Sequence, residues 1–216
     1  MTIIHIDFAW PVAESGYLVR DYGPPNSEPT ILIKPRSGLW LEPISANQRW
    51  HEPLAFAPAL FLDFAALAET PAAVCEFASS FGLLLGLNDR TGAGEDIGTW
   101  FHHIRRFRRL IDIWQSATPT RLRWQTEDLL PAAIAGRLVW RDQGPVFSLQ
   151  PNTLLSALRS QFYAAVAELK EIAACDQCGR WFERGPGKAR RSKSRFCSDR
   201  CRSDYHNLHK RKGAAR

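Results

Sequence analysis

Long apolar runs are missing from this chain of 216 residues, and so are a signal peptide, internal repeats and a glycine-rich loop. No stretch of about 20 residues is both apolar and free of charge, so the sequence predicts no membrane-spanning helix and no membrane partner. The first ten residues contain Asp7 but no Lys or Arg, and therefore lack the basic start of a secretory signal peptide. We also find no internal repeat and no glycine-rich phosphate loop. These absences predict a cytoplasmic protein.

Cysteine is scarce, and its distribution is uneven. The chain has 5 cysteines, and four of them lie between positions 175 and 201. A secreted disulfide framework is typically denser in cysteine than this. The fifth, Cys75, lies alone in an apolar helical context, where a small buried thiol is expected rather than a nucleophile.

The four clustered cysteines form two pairs with the spacing of a metal site. Cys175 and Cys178 read C-x2-C, 18 residues follow, and Cys197 and Cys201 read C-x3-C. The first pair suits a tight knuckle turn, and the second pair lies on one face of a helix because its members are four residues apart. Thiolates so spaced can converge on one tetrahedral Zn²⁺. Two disulfides, or unrelated buried thiols, remain the alternatives.

The segment around these cysteines holds the net positive charge of the chain. Residues 180–216 contain 13 Lys or Arg and 3 Asp or Glu, a formal charge of +10, whereas the other 179 residues sum to −4. A compact basic module attracts polyanions, and nucleic acid is the commonest of them because each neutralised phosphate releases counterions. A solvated basic tail, another polyanion and a protein partner stay open as alternatives.

The remainder of the chain has the composition of a globular domain. Hydrophobic residues make up 45% of the sequence, with 8 Trp and 12 Phe, which is enough for a sizeable core. Periodicity and turn signals predict strands near 3–8, 30–34 and 40–41, helices near 70–84, 98–115 and 153–173, and a hairpin over 137–149. We therefore expect an α+β fold, with a mostly helical body and a small N-terminal antiparallel sheet over residues 1–173. A treble-clef-like zinc finger with a basic tail follows over residues 174–216.

The predicted helix over 98–115 is rich in arginine. Four arginines alternate with apolar positions, at Arg105, Arg106, Arg108 and Arg109. They could form a second surface for anionic ligands, but an amphipathic helix requires a polar face of this kind. The pattern favours a solvated face.

Around the cysteines the sequence resembles the C-terminal half of the bacterial CGNR zinc-finger proteins, in which the finger follows a domain called ABATE. The matching residues are Cys175, Cys178, Trp181-Phe182, the run Arg190 to Arg195, Phe196-Cys197-Ser198 and Cys201. The resemblance implies a treble-clef-like finger and a role as a DNA-binding transcriptional regulator. In the family motif Gly, Asn and Arg follow the last cysteine, whereas Arg202, Ser203 and Asp204 follow it here.

A DNA-binding finger of this kind would use its basic residues to contact phosphates. The candidates are Arg190, Arg191, Lys193 and Arg195 in the loop, and Arg200, Arg202, Lys210, Arg211 and Lys212 in the helix and tail. Phosphate contacts position a protein on duplex DNA, and base edges specify sequence. If the helix enters a groove, Arg202 and Asn207 are the candidate base readers. The body would then sense a ligand or dimerise. A second copy of the chain and an unidentified small molecule are therefore further candidate partners.

A metal-dependent nuclease is the alternative from another class of function. Four polar residues follow the last cysteines closely, at Asp204, His206, Asn207 and His209. A catalytic metal needs an open coordination position, whereas four cysteine ligands close the site. The sequence therefore favours a binding protein, with a protein-interaction finger as a further alternative.

Overall fold

The computed structural model describes residues 5–24, 36–57, 59–86, 94–116, 134–141, 144–185, 191 and 193–213. The chain divides into two compact units, residues 1–162 and residues 163–216. The division falls inside a helix, Leu154–Ala167, that carries the chain from the first unit into the second.

The described residues of unit 1 contain short strands in three small sheets. The strands are β1 (His5–Ile6), β2 (Trp10–Ala13), β3 (Tyr17–Asp21), β4 (Leu39–Pro43), β5 (Gln48–His51), β6 (Glu95–Asp96), β7 (Ile134–Arg141) and β8 (Gly144–Pro151). One sheet has the order β1-β8-β7, the second pairs β2 with β5, and the third has the order β3-β4-β6. All of these pairs are antiparallel except β1 with β8, which run parallel.

The helices of unit 1 pack around an aromatic core. They are α1 (Pro53–Phe56), α2 (Leu60–Ala66), α3 (Pro71–Phe81), α4 (Ile97–Ser116) and α5 (Leu154–Ala167), the last of which continues into unit 2. The buried ring of Phe64 in α2 lies 5.5 Å from Phe77 of α3, and 6.1 and 5.4 Å from Trp100 and Phe107 of α4. Edge-on and tilted contacts between aromatic rings stabilise the fold beyond the contribution of burying the apolar surface of the rings.

Helix α3 begins as the sequence predicts but ends earlier. Thr70 accepts a hydrogen bond from the backbone N–H of Ala73, and Pro71 takes the first helical position. The predicted end near residue 84 is wrong, because the helix stops at Phe81 and Gly82 follows with φ 88°. A β-carbon on Gly82 would lie 2.6 Å from the ring of Trp10, so only glycine allows the indole to approach this closely.

The helix predicted over 153–173 is also shorter. Helix α5 ends at Ala167, and the N–H of Lys170 donates to the carbonyl of Ala165 across a Schellman-type turn. Leu169 holds the left-handed position of that turn, with φ 53°, where glycine is usual. The missing glycine is the reason that the sequence predicts a longer helix.

Unit 2 continues with a hairpin and a helix. Strands β9 (Glu171–Ala174) and β10 (Trp181–Arg184) pair antiparallel, with Ala174 opposite Trp181, and helix α6 spans Asp199–Gly213.

The fold class is therefore mixed helix and strand, with small antiparallel sheets and a C-terminal cysteine cluster. The hairpin predicted over 137–149 is present and longer, and the segment predicted at 40–41 lies within β4. Strands β2, β3 and β5 were not predicted, and the strand predicted near 30–34 lies outside the described residues. Among the described residues, no helix combines the length and apolar character that crossing a membrane requires.

Candidate metal centre

Unit 2 brings the four predicted cysteine ligands together. The sulfur atoms of Cys175, Cys178, Cys197 and Cys201 all lie within 4.8 Å of one another. The Sγ of Cys197 is 3.7 Å from that of Cys178 and 3.6 Å from that of Cys201. All four are free thiols, so they are not joined as two disulfides.

These separations suit a shared tetrahedral ion. With Zn–S bonds of about 2.3 Å, the edge of a regular tetrahedron of sulfurs is roughly 3.8 Å. The observed 3.6 and 3.7 Å lie close to that edge. The four cysteines can therefore hold one metal ion with no ligand from outside the cluster.

The first cysteine pair occupies the turn between β9 and β10. The N–H of Gly179 donates to the carbonyl of Cys175 over 2.8 Å, and the N–H of Cys175 donates to the carbonyl of Arg180 over 2.9 Å. Gly179 has φ 71°, which a side chain rarely adopts, and this sharp turn brings Cys178 back beside Cys175. The hairpin register thus fixes both sulfurs on the same side of a knuckle.

The second pair flanks the start of α6, with Cys197 two residues before the helix and Cys201 in its first turn. The prediction that both lie on one helix face is therefore wrong for Cys197. Ser198 precedes the helix, and its hydroxyl accepts a hydrogen bond of 3.1 Å from the N–H of Cys201. This is the N-cap arrangement, which satisfies one of the backbone donors left unpaired at a helix start. The cap fixes the first turn, so that Cys197 and Cys201 point toward the same centre.

Asp176 and Arg195 connect the first cysteine pair to the second. No sequence pattern marks these two residues as partners. The N–H of Asp176 donates to the carbonyl of Arg195 over 3.0 Å, and Nε of Arg195 donates to Oδ2 of Asp176 over 2.6 Å. The guanidinium also lies over the rings of Phe196 and Tyr205, 5.7 and 5.5 Å from their centroids. The Asp176–Arg195 pair therefore ties the knuckle to the segment that leads into α6.

The thiols differ in how readily they ionise. Burial works against a thiolate at Cys175, but backbone N–H groups of Cys197, Cys178 and Gln177 bring the pKa of this thiol down to about 6. Burial raises the pKa of Cys197 to about 12, and hydrogen bonds with neighbouring sulfurs add to the rise. Burial raises the pKa of Cys178 as well. A divalent cation supplies the positive charge that the remaining thiolates need.

The basic residues of unit 2 differ in their exposure and in their ion pairs. Arg191 and Lys193 are exposed, and so is Asn207 on α6. Arg200 and Arg202 are exposed too, and they form ion pairs of 3.9 Å with Asp204 and 3.4 Å with Asp199. Arg190 lies outside the described residues, and Lys210, Arg211 and Lys212 lie on α6 in a stretch whose side chains are not described. Contact of this set with nucleic acid stays a prediction.

Two described residues of the nuclease alternative, Asp204 and His206, do not belong to the metal cluster. Among the side chains that the structure describes, the four cysteines form the group close enough to share a metal. Asp204 pairs with Arg200, and the exposed His206 lies with its ring 6.1 Å from that of Phe196. The side chain of His209 lies outside the described residues.

The fifth cysteine lies apart, in unit 1. Cys75 is half-buried in α3, and its thiol donates to the carbonyl of Tyr17 over 3.0 Å. Burial raises the pKa of this thiol, so the site favours the neutral form.

Comparison with known proteins returns no relative. No family model, no curated protein and no solved structure matches the chain. The function must therefore be argued from the chemistry of the site.

Proposed function

We propose that this protein is a zinc-dependent DNA-binding protein whose C-terminal finger contacts the duplex. The observation that carries the proposal is the convergence of four cysteine sulfurs at tetrahedral spacing, in and directly before the segment that holds the chain's excess positive charge. Zinc is the metal of choice because four thiolates in a tetrahedral set suit it, and because a closed set is typical of a structural site.

The metal would stabilise a unit that has little apolar core of its own. After α5, the buried apolar side chains in the described part of unit 2 are Cys175 and Phe182. A module with so little buried area usually needs a metal or disulfides to fold. A knuckle on a hairpin, followed by one ligand just before a helix and one in its first turn, is the arrangement of a treble clef, and we propose that fold for the finger.

The charge distribution supports nucleic acid as the partner. The +10 of residues 180–216 stands against −4 for the rest of the chain, so attraction to a polyanion is concentrated at the finger. The exposed Arg191 and Lys193 come from the loop between the cysteine pairs, and Arg200 and Arg202 come from α6. Together they present cations from two segments of the same unit.

The resemblance to CGNR zinc-finger proteins supports a DNA-binding transcriptional regulator. In this proposal the finger positions the protein on duplex DNA, and the ABATE-like body senses a ligand or dimerises. The coordination chemistry supports a protein that is not an enzyme, because four thiolates leave no open position at the metal for a substrate.

The test is a salt titration of duplex DNA binding by the metal-loaded full chain. Each phosphate contact contributes about 0.9 to the slope of log K against log salt, so we expect a steep slope. The double variant Arg191→Gln, Lys193→Gln should bind all sequences more weakly and flatten the slope by about 1.8. A matched control, Arg49→Gln with Arg109→Gln, removes two exposed charges from unit 1 and should leave the slope unchanged.

Binding that is unchanged in the finger variant, or equally weakened in the control, would contradict the proposal. Metal-dependent nicking of plasmid DNA by the wild type would instead establish the nuclease. Absence of DNA binding by a metal-loaded protein would leave a protein partner as the function of the finger.

A further inference from the structure

Unit 2 contains a cavity beside the metal cluster that the sequence does not reveal. Its volume is about 240 Å³, and the residues that line it include Lys193, Ser194, Arg195, Ser198, Asp199 and Arg202. They come from both sides of Cys197, where the loop between the cysteine pairs meets the first turn of α6. The folded finger brings these cations together, so the cavity depends on the same fold that gathers the sulfurs.

The lining of the cavity is cationic. Three of these side chains are positive and one is negative, which gives the lining a formal charge of 3 − 1 = +2. The exposed ion pair between Arg202 and Asp199 spans 3.4 Å, with 61% and 69% of the two side chains accessible. Exposed pairs of this kind are weak, so a ligand with stronger acceptors can draw the guanidinium away from Asp199.

The hydroxyls in the lining can add neutral donors to the cations. Ser198 accepts a hydrogen bond from the N–H of Cys201, and its own O–H proton remains available to donate. Ser194 contributes a second hydroxyl at the cavity. Cations and hydroxyl donors around a small space suit an anion with several oxygen acceptors.

The cavity is small and open to solvent, so it suits one group of a larger ligand. Drug-sized molecules occupy pockets of about 300–1,000 Å³, and this cavity is smaller. A phosphodiester group with part of its sugar is of the appropriate size and charge. Its non-bridging oxygens can accept from Arg202 in a bidentate manner while Lys193 acts as a point charge.

We propose that this cavity seats one backbone phosphodiester of the nucleic acid, bound by Lys193 and Arg202. The inference rests on the proposed function and adds to it the place where the DNA backbone lies on the finger. Arg195 lines the same cavity but has a different role, because it is engaged with Asp176 and stacked over two rings. It is a positioning residue that holds the wall of the cavity.

The experiment uses the metal-loaded full chain labelled with ¹⁵N and a thymidine dinucleotide that carries a single phosphodiester. We expect amide shifts to concentrate at Lys193, Ser194, Ser198 and Arg202 as the dinucleotide is added. The double variant Lys193→Gln, Arg202→Gln should weaken this binding by at least about tenfold, since it removes the charged donors. The matched control Arg49→Gln, Arg109→Gln removes two exposed cations of unit 1 that are not among the cavity residues, and should keep the shifts.

The outcomes separate this inference from the proposed function. If the protein binds duplex DNA but the dinucleotide causes no shifts at the cavity, the cavity is not the phosphodiester site, and DNA binding stands. The same conclusion follows if the shifts persist in the Lys193→Gln, Arg202→Gln variant. Dinucleotide shifts at the cavity in a protein that does not bind duplex DNA would overturn the proposed function, and with it the DNA backbone as the ligand. Zinc content, measured for each variant, shows whether the finger has kept its fold.

Discussion

At the scale of single residues, the sequence predicts the sulfur ligands but not the contacts that hold them in place. Cys175, Cys178, Cys197 and Cys201 can be assigned because thiolates at short fixed spacings have few other uses in one segment. Asp176 and Arg195 are 19 positions apart, and no local pattern links them, yet they join the two halves of the cluster. Side-chain pairs of this kind follow from the folded backbone and are seen only once it is known.

A half-buried histidine of unit 1, His103, allows a pH prediction at the same scale. Burial lowers the pKa of His103 to about 4, and the positive fields of Arg159, His102 and Arg106 add to the effect. The unfolded chain takes up a proton near pH 6.5 and the folded chain does not. The stability due to neutral His103 is therefore present above about pH 6.5, and it is lost as the pH falls toward 4.

Replacing His103 by Gln should remove this dependence. Between pH 7 and pH 5 the wild type should lose on the order of 1–2 kcal/mol more unfolding free energy than the variant, after allowance for solvent screening. Urea unfolding followed by tryptophan fluorescence at the two pH values measures the difference. Equal losses in both proteins would show that His103 does not titrate as described.

At the scale of elements, periodicity places the helices well and their ends poorly. Helix α4 was predicted over 98–115 and spans Ile97–Ser116. Helix α5 was predicted to reach residue 173, but it ends at Ala167 in a turn that puts Leu169 in the left-handed region. A helix end without glycine has no clear sequence signal, so helical periodicity extends the predicted helix over strand β9.

The arginines of α4 have a more specific role than the solvated face that the sequence favours. Nε of Arg108 donates to the carbonyl of Ala65 over 2.8 Å, and the guanidinium also bonds the carbonyl of Leu67 and the carboxylate of Glu69. Arg105 pairs with the same carboxylate over 3.0 Å. Arg108 thus satisfies backbone acceptors at the end of α2, where a helix leaves its last carbonyls unpaired.

Replacing Arg108 by Met should destabilise unit 1 without changing the affinity for duplex DNA. The lost hydrogen bonds predict a decrease of about 1–2 kcal/mol in unfolding free energy. Arg109→Met is the matched control, since Arg109 is exposed on the same helix, and it should change stability by less than about 0.5 kcal/mol. Chemical denaturation and duplex binding are measured on both variants, and weaker DNA binding by the Arg108 variant at full zinc content would reveal a second anionic-ligand surface on α4.

At the scale of the whole molecule, the chemistry of the chain is divided between its two units. Unit 1 holds the aromatic core and the three small sheets, whereas the sulfur cluster and the basic cavity belong to unit 2. The mixed fold class could be predicted because alternation and helical periodicity are local properties. The parallel pairing of β1 with β8 could not, since it joins His5 to Ser148 across most of the chain.

The measurement that tests the central claim most directly is the zinc content of the purified full chain and of two single-cysteine variants. We predict one zinc per chain for the wild type and for Cys75→Ser, because Cys75 lies outside the cluster. Cys178→Ser should retain none, and its finger should lose its fold, since metal binding supplies much of the folding free energy of so small a unit. Stoichiometric zinc in Cys178→Ser, or a wild type that binds no zinc when zinc is supplied under reducing conditions, would contradict the account.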